Sequence, residues 1–130
     1  MSKARFEIIF DPDAVKGYEK LDNSVVNIVD NAINRLEERA DEIGKDLSNY
    51  QNTKLAGCKE IKLRSAGVRI IFKVTDQIVN ILQVVYVLTI DRRDKEQVFR
   101  NANKRYQNFK TNPRKAIKAG KYSVRINKSE

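Results

Sequence analysis

Two apolar stretches, residues 59–64 and 68–75, flank a Ser65-Ala66-Gly67 turn and carry Lys62, Arg64 and Arg69. At the two-residue period of a strand, Ile61 and Leu63 fall on one face while Glu60, Lys62 and Arg64 fall on the other. After the turn, Ile70, Phe72 and Val74 share a face, and Arg69, Ile71 and Lys73 take the opposite one. The spacing therefore predicts a hairpin on which Lys62, Arg64 and Arg69 converge. Such a row suits an anion, because a guanidinium stays protonated and grips two phosphate oxygens in a fork.

What the chain lacks narrows the chemistry further. It contains no histidine, which excludes a Ser-His-Asp triad, a Cys-His pair and the usual His-containing zinc sites within the chain. Proton transfer falls to Lys, Arg, Glu, Asp, Tyr or solvent. Cys58 is the single cysteine, so no internal disulfide forms, and it reads as a small packing residue. The net charge of +9 is unevenly placed: residues 1–90 hold 13 cations against 13 acids, and residues 91–130 hold 13 against 4. A neutral body with a basic last third points to a polyanionic partner, set against the plainer alternative of a solubilising tail.

The elements that must position this row are legible in outline. At 130 residues the chain is read as one α+β domain. A strand over residues 5–10 precedes a helix over 14–21. A second helix, capped by Asp22-Asn23-Ser24 and stopped at Gly44, repeats Val25, Ile28, Val29, Ala32, Ile33 and Leu36 at helical spacing. Residues 45–54 read as a polar connection. Three strands follow, at 59–64, 68–75 and 78–89, the last two joined by an Asp76-Gln77 turn. The third is apolar nearly throughout and belongs at the sheet centre. A helix over 94–109 ends at Asn112-Pro113. The order βααβββα predicts an antiparallel β-sheet with two N-terminal helices packed on one face and a C-terminal helix, the other face being left open for binding.

The stretches Lys54-Leu55-Ala56-Gly57, Ile61-Lys62-Leu63-Arg64-Ser65-Ala66-Gly67-Val68-Arg69-Ile70-Ile71-Phe72 and Ile90-Asp91-Arg92-Arg93-Asp94, with Val98-Phe99 and Ala102-Asn103-Lys104-Arg105, resemble the RelE/ParE superfamily of type II toxins. The resemblance covers residues 4–106. It implies a toxin neutralised by a cognate antitoxin, an acidic chain that wraps the sheet and blocks Arg69 and Arg93. For the RelE branch it further implies a metal-independent endoribonuclease that cuts mRNA in the ribosomal A site, with no small-molecule cofactor and no membrane. Carried over by position, the family's functional cations are Lys62, Arg64, Arg69 and Arg93. The chain departs from the best-known members at Glu60, where they have a lysine, and at Phe99, where they have a tyrosine.

Glu60 then reads as a tentative base for the 2′-hydroxyl or as a charge-balancing salt bridge. Lys62 either stabilises charge or moves a proton. Lys59, Lys73, Arg92, Lys104 and Arg105 are expected to contact RNA around this centre. The same resemblance allows two alternatives: a ParE-like inhibitor that binds DNA gyrase without cleaving RNA, and a catalytically inactive member. Residues 107–130 lie beyond the resemblance and read as a basic C-terminal extension, either an extra contact to ribosomal RNA or a tail folded back through Tyr122, Val124 and Ile126. With no long apolar run and no signal-like N-terminus, the expected location is the cytoplasm.

Overall fold

The dense apolar run Phe6–Phe10 forms the first strand, β1. The structure is a computed structural model and describes residues 4–49, 52–92 and 94–121. Asp11 turns the chain out of β1 and caps α1 (Pro12–Glu19), accepting a hydrogen bond from the Asp13 amide at 2.9 Å. Pro12 suits the first helical position because its missing amide hydrogen would have no partner there. Helix α2 (Asn23–Arg39) buries Val25, Val26, Val29, Ala32, Ile33 and Leu36, so the apolar stripe read from the sequence is its packed face except that Val26 is buried where Ile28 is only partly so. It ends at Arg39 rather than at Gly44. Gly44, at φ 89°, instead turns the chain toward the next strand, in a left-handed conformation that a side chain would strain.

Strands β2 (Lys45–Asp46), β3 (Lys59–Leu63), β4 (Val68–Val79) and β5 (Leu82–Asp91) are followed by α3 (Lys95–Thr111) and α4 (Pro113–Ala119). The sheet order is β1-β5-β4-β3-β2. All neighbours pair antiparallel except β1, which runs parallel to β5 with Phe6 beside Gln83 and Phe10 beside Val87. The α+β class stands, but the sheet is mixed. The two helices between β1 and the hairpins carry the chain back across the sheet before β5 is reached, and this crossover makes the parallel pair possible. Short β2 arises inside the presumed polar connection, where Lys45 pairs with Glu60 and Asp46 with Lys59.

Neither face of the sheet is left open. On one side Ile8, Phe10, Ile70, Phe72 and Val87 pack against Ala14, Tyr18, Val29, Ile33 and Leu36 of α1 and α2. On the other, Ile9, Ile71, Val84, Tyr86 and Leu88 meet Val98, Phe99, Ala102, Tyr106 and Phe109 of α3, with Ile117 of α4. Gly17 brings α1 close enough to β5 that a Cβ there would lie 2.1 Å from the Ile90 carbonyl oxygen. Cys58 is fully buried among the second layer, and burial pushes its thiol up to about 12, which leaves it a packing group.

The basic extension is structured as far as it is described. Helix α3 runs past residue 106 to Thr111, and Asn112 caps α4 by accepting from the Lys115 amide at 3.2 Å. Beyond α4, Gly120 lies so close to β1 that a Cβ would meet Ile9 Cγ2 at 2.6 Å. Lys121 and Phe10 exchange two backbone hydrogen bonds of 2.7 and 2.9 Å. The strand expected at 122–126, with Tyr122, Val124 and Ile126, lies outside the described residues. Among the described residues no helix is long and apolar enough to cross a membrane.

The β4–β5 connection also differs from expectation. Asp76-Gln77 is a bulge within β4, not a turn: the ladder shifts between Val74 and Ile78, and Thr75 Oγ1 both donates to the Val84 carbonyl at 2.8 Å and accepts from the Gln77 amide at 3.0 Å. The turn falls at Asn80 and Ile81, with φ 50° and 65°. Two consecutive left-handed residues suit the twist of a hairpin, but a β-branched residue is strained there. Ile81 is 93 % exposed and recovers no burial in return. Ile81→Gly is expected to stabilise the protein by about 0.5–1 kcal/mol, seen as a melting temperature higher by roughly 2–5 °C. An unchanged or lower melting temperature would refute the strain.

Candidate functional site

The turn between β3 and β4 sets the site. Gly67 takes φ 68°, and the Ala66 and Gly67 amides close back on the Leu63 and Arg64 carbonyls at 3.1 and 3.2 Å. This register places Lys62 directly opposite Arg69 and Glu60 opposite Ile71. Lys62, Arg69 and Glu60 therefore share the face turned toward α3, with Arg64 at its end. Helix α3 begins at this face: Asp94 caps it by accepting from the Gln97 amide at 3.0 Å. Lys95 and Phe99, one turn apart, form the opposite wall, and the Lys95 ammonium stands 5.6 Å from the Phe99 ring centre.

Together these elements enclose a cleft of about 390 Å³, closed at one end by Lys45, Asp46, Leu47 and Ser48. Five cations, Lys45, Lys62, Arg64, Arg69 and Lys95, line it against two acids, Asp46 and Glu60. Glu60 is the buried member, 6 % exposed, and its Oε2 accepts from Arg69 Nη1 at 2.6 Å. A buried carboxylate held by a guanidinium satisfies both charges, and breaking such a pair strands the survivor in a poorly hydrated place. Lys62 is exposed and unpaired by any acid in this set. Arg69, followed by Arg64, lowers its ammonium pKa below the ordinary lysine value; Lys95 adds to the effect and Glu60 opposes it. The cleft can thus hold an anion on fixed guanidinium groups and offers an amine that gives up its proton more readily than usual.

The structure brings together four of the expected site residues, Glu60, Lys62, Arg64 and Arg69. Arg93 lies outside the described residues. The remaining five stand elsewhere. Lys59 belongs to the α2-facing side of β3 and binds Asp46 at 3.0 Å. The Lys73 ammonium donates to the Gly57 carbonyl at 3.1 Å and borders a separate groove with Tyr106 and Lys110. Arg92 pairs with Asp22 at 3.5 Å. Arg105 donates to the Leu88 carbonyl at 3.0 Å and sits 4.0 Å from Asp11, whose carboxyl burial pushes up. It clamps α3 to the sheet. Lys104 is exposed on the outer side of α3.

Sequence reasoning passed over Lys45 and Lys95. Lys95 was reachable, since it precedes the expected Phe99 by one helical turn and must share its face. Lys45 sat in a stretch with no periodicity. Phe99, 4 % exposed, anchors α3 to the sheet while its edge borders the cleft, as its lack of a titratable group suggests.

No protein-family model matches the chain. It is 31 % identical over 99 residues to the mRNA interferase toxin RelE of Escherichia coli (strain K12), an alignment spanning 74 % of this chain and 92 % of that protein. Among solved structures, the isolated E. coli RelE toxin matches with a TM-score of 0.52 and 28 % identity over 80 % of this chain and 99 % of its own. A free E. coli RelE carrying two arginine-to-alanine changes matches with a TM-score of 0.55 and 25 % identity over 79 % and 98 % of the two chains.

The electrostatics of the cleft can be read out directly. Arg69→Gln is expected to raise the Lys62 pKa, because it removes the largest lowering charge and frees Glu60 to favour the ammonium. Lys95→Gln should raise it by less. Titration of the Lys62 side-chain NMR signal checks both, and a pKa unmoved by Arg69→Gln would contradict the charge crowding.

Proposed function

The chain belongs to the RelE family of toxins, and on that premise we propose that it arrests translation by cutting mRNA in the ribosomal A site, under the control of a cognate antitoxin. The observation that carries this reading is the cleft itself: Lys62, Arg64 and Arg69 converge on one strand face beside Lys95. The related E. coli protein is named an mRNA interferase, and the cleft has the charge such chemistry needs.

RNA can be cut without metal by its own 2′-hydroxyl. The O2′–P bond forms, the P–O5′ bond breaks, and the products are a 2′,3′-cyclic phosphate and a 5′-hydroxyl. Negative charge gathers on the non-bridging oxygens on the way, and fixed cations lower that barrier. Arg69 is the leading stabiliser in this reading, with Arg64 and Arg93 positioning neighbouring phosphates. Lys62 is the group best placed to take the 2′-proton, since the cations around it lower its pKa. The departing 5′-oxygen takes its proton from water at the open mouth of the cleft.

Glu60, engaged with Arg69, holds the guanidinium in place rather than serving as base. The antitoxin is a chain of opposite charge that covers the cleft.

Arg69→Ala is expected to lower ribosome-dependent mRNA cleavage by on the order of 10² to 10³, measured by primer extension after induction. That substitution also strands the buried Glu60, so Arg69→Ala with Glu60→Gln is the companion: it should fold normally and remain as inactive. Wild-type cleavage in either variant would sink the assignment. Intact transcripts with the unsubstituted chain would sink the nuclease reading itself.

A further inference from the structure

Some cations in the body of the protein have acidic partners. Arg5 binds Asp41 at 2.7 Å, Lys59 binds Asp46 at 3.0 Å, and Arg69 binds Glu60 at 2.6 Å. Lys104 lies one turn beyond Arg100 on the solvent side of α3, and on α4 every exposed position but Ala119 is Arg114, Lys115 or Lys118. Arg100 reaches Glu96 at 3.8 Å, whereas Lys104, Arg114, Lys115 and Lys118 meet no acid among the described residues. Like charges held side by side repel, and among the described residues no acid compensates this array.

The array is also held in place. Ile117 is buried at 7 % exposure, Asn112 caps the helix, and Gly120 and Lys121 lock its end to β1. These cations are therefore held in place outside the cleft, since none of them lines it. What the surface lacks identifies the partner. Among the described residues the exposed large hydrophobics are Ile78 and Ile81, both at the β4–β5 tip. A protein partner would be anchored by apolar or aromatic groups, and a membrane by an apolar helix face, and α3 and α4 offer neither outward. A phosphate backbone needs only fixed cations.

We infer that the outer face of α3 and α4 docks on the phosphate backbone of folded ribosomal RNA, orienting the toxin so that the cleft faces its mRNA. The ribosomal part rests on the function proposed above; the polyphosphate part rests on the surface alone. The test compares the full chain with Arg114→Gln/Lys115→Gln/Lys118→Gln, using purified ribosomes over a series of salt concentrations. Expected are a ribosome affinity at least about tenfold weaker and a salt slope smaller by roughly two to three, since each lost phosphate contact removes about 0.9. The half-saturating ribosome concentration for cleavage should rise by a similar factor while the maximal rate stays within about twofold.

Unchanged affinity and slope would overturn the inference, and so would weakened binding to the purified antitoxin in place of the ribosome. Should the wild type bind ribosomes with this salt dependence yet leave mRNA whole, the nuclease reading fails and the docking surface stands. A triple variant that melts early is replaced by Lys118→Gln, for which a slope change near one is expected and no change is again refuting.

Discussion

Strand β5 has to be covered on both faces. Every residue from Val84 to Ile90 is buried, so the strand contributes alternate side chains to two separate apolar layers and tolerates solvent on neither. Burying apolar surface is the dominant favourable term in folding, at roughly 25 cal/mol per Å², and a two-sided strand obliges the chain to supply helices above and below. Helices α1 and α2 answer for one side, and α3 with α4 for the other. The position of the cleft follows, because α3 can cover β5 and β4 only by starting over β3, where Lys95 and Phe99 meet the cation row.

Within that frame the cleft is a compromise between attraction for an anion and repulsion among its own groups. Five cations in one concavity raise the local potential, and the lowered Lys62 pKa registers it. Glu60 relieves part of the strain and fixes Arg69, a long side chain that would otherwise sample many rotamers. An anion in the cleft would then meet a guanidinium already oriented, though one whose charge is shared. A lysine in place of Glu60 would leave Arg69 freer and the cleft more positive, a different balance of the same two demands.

Much of this was legible in the residues, for identifiable reasons. Period-two alternation in β3 and β4 set which cations face together, and the apolar density of β5 announced an interior strand covered on both faces, although β4 holds the middle of the sheet. The stripe of α2 is strong because six positions repeat without interruption. What escaped was non-local. The parallel pairing of β1 depends on a partner far along the chain, the two-residue β2 has too few positions to show a period, and the bulge at Thr75–Gln77 imitates a turn because Asp and Gln are common in both. Charge type misled as well: Lys59, Lys73, Arg92 and Arg105 are cations whose partners are acids and carbonyls of the protein itself, which composition cannot reveal.

The parallel pairing of β1 with β5 has a consequence for how the chain matures. Strand β1, Phe-Glu-Ile-Ile-Phe, is strongly apolar with a single charge, and its sheet partner β5 is made only after α1, α2 and strands β2 to β4. Until β5 arrives, β1 has no ladder to join, and long-range pairing of this kind is slow to form. Such segments are sticky while they wait. The nascent protein therefore passes through an interval in which an apolar strand is uncovered and its cleft, which needs residues from Lys45 to Phe99, does not yet exist. Synthesis and toxicity are thereby separated in time by topology alone.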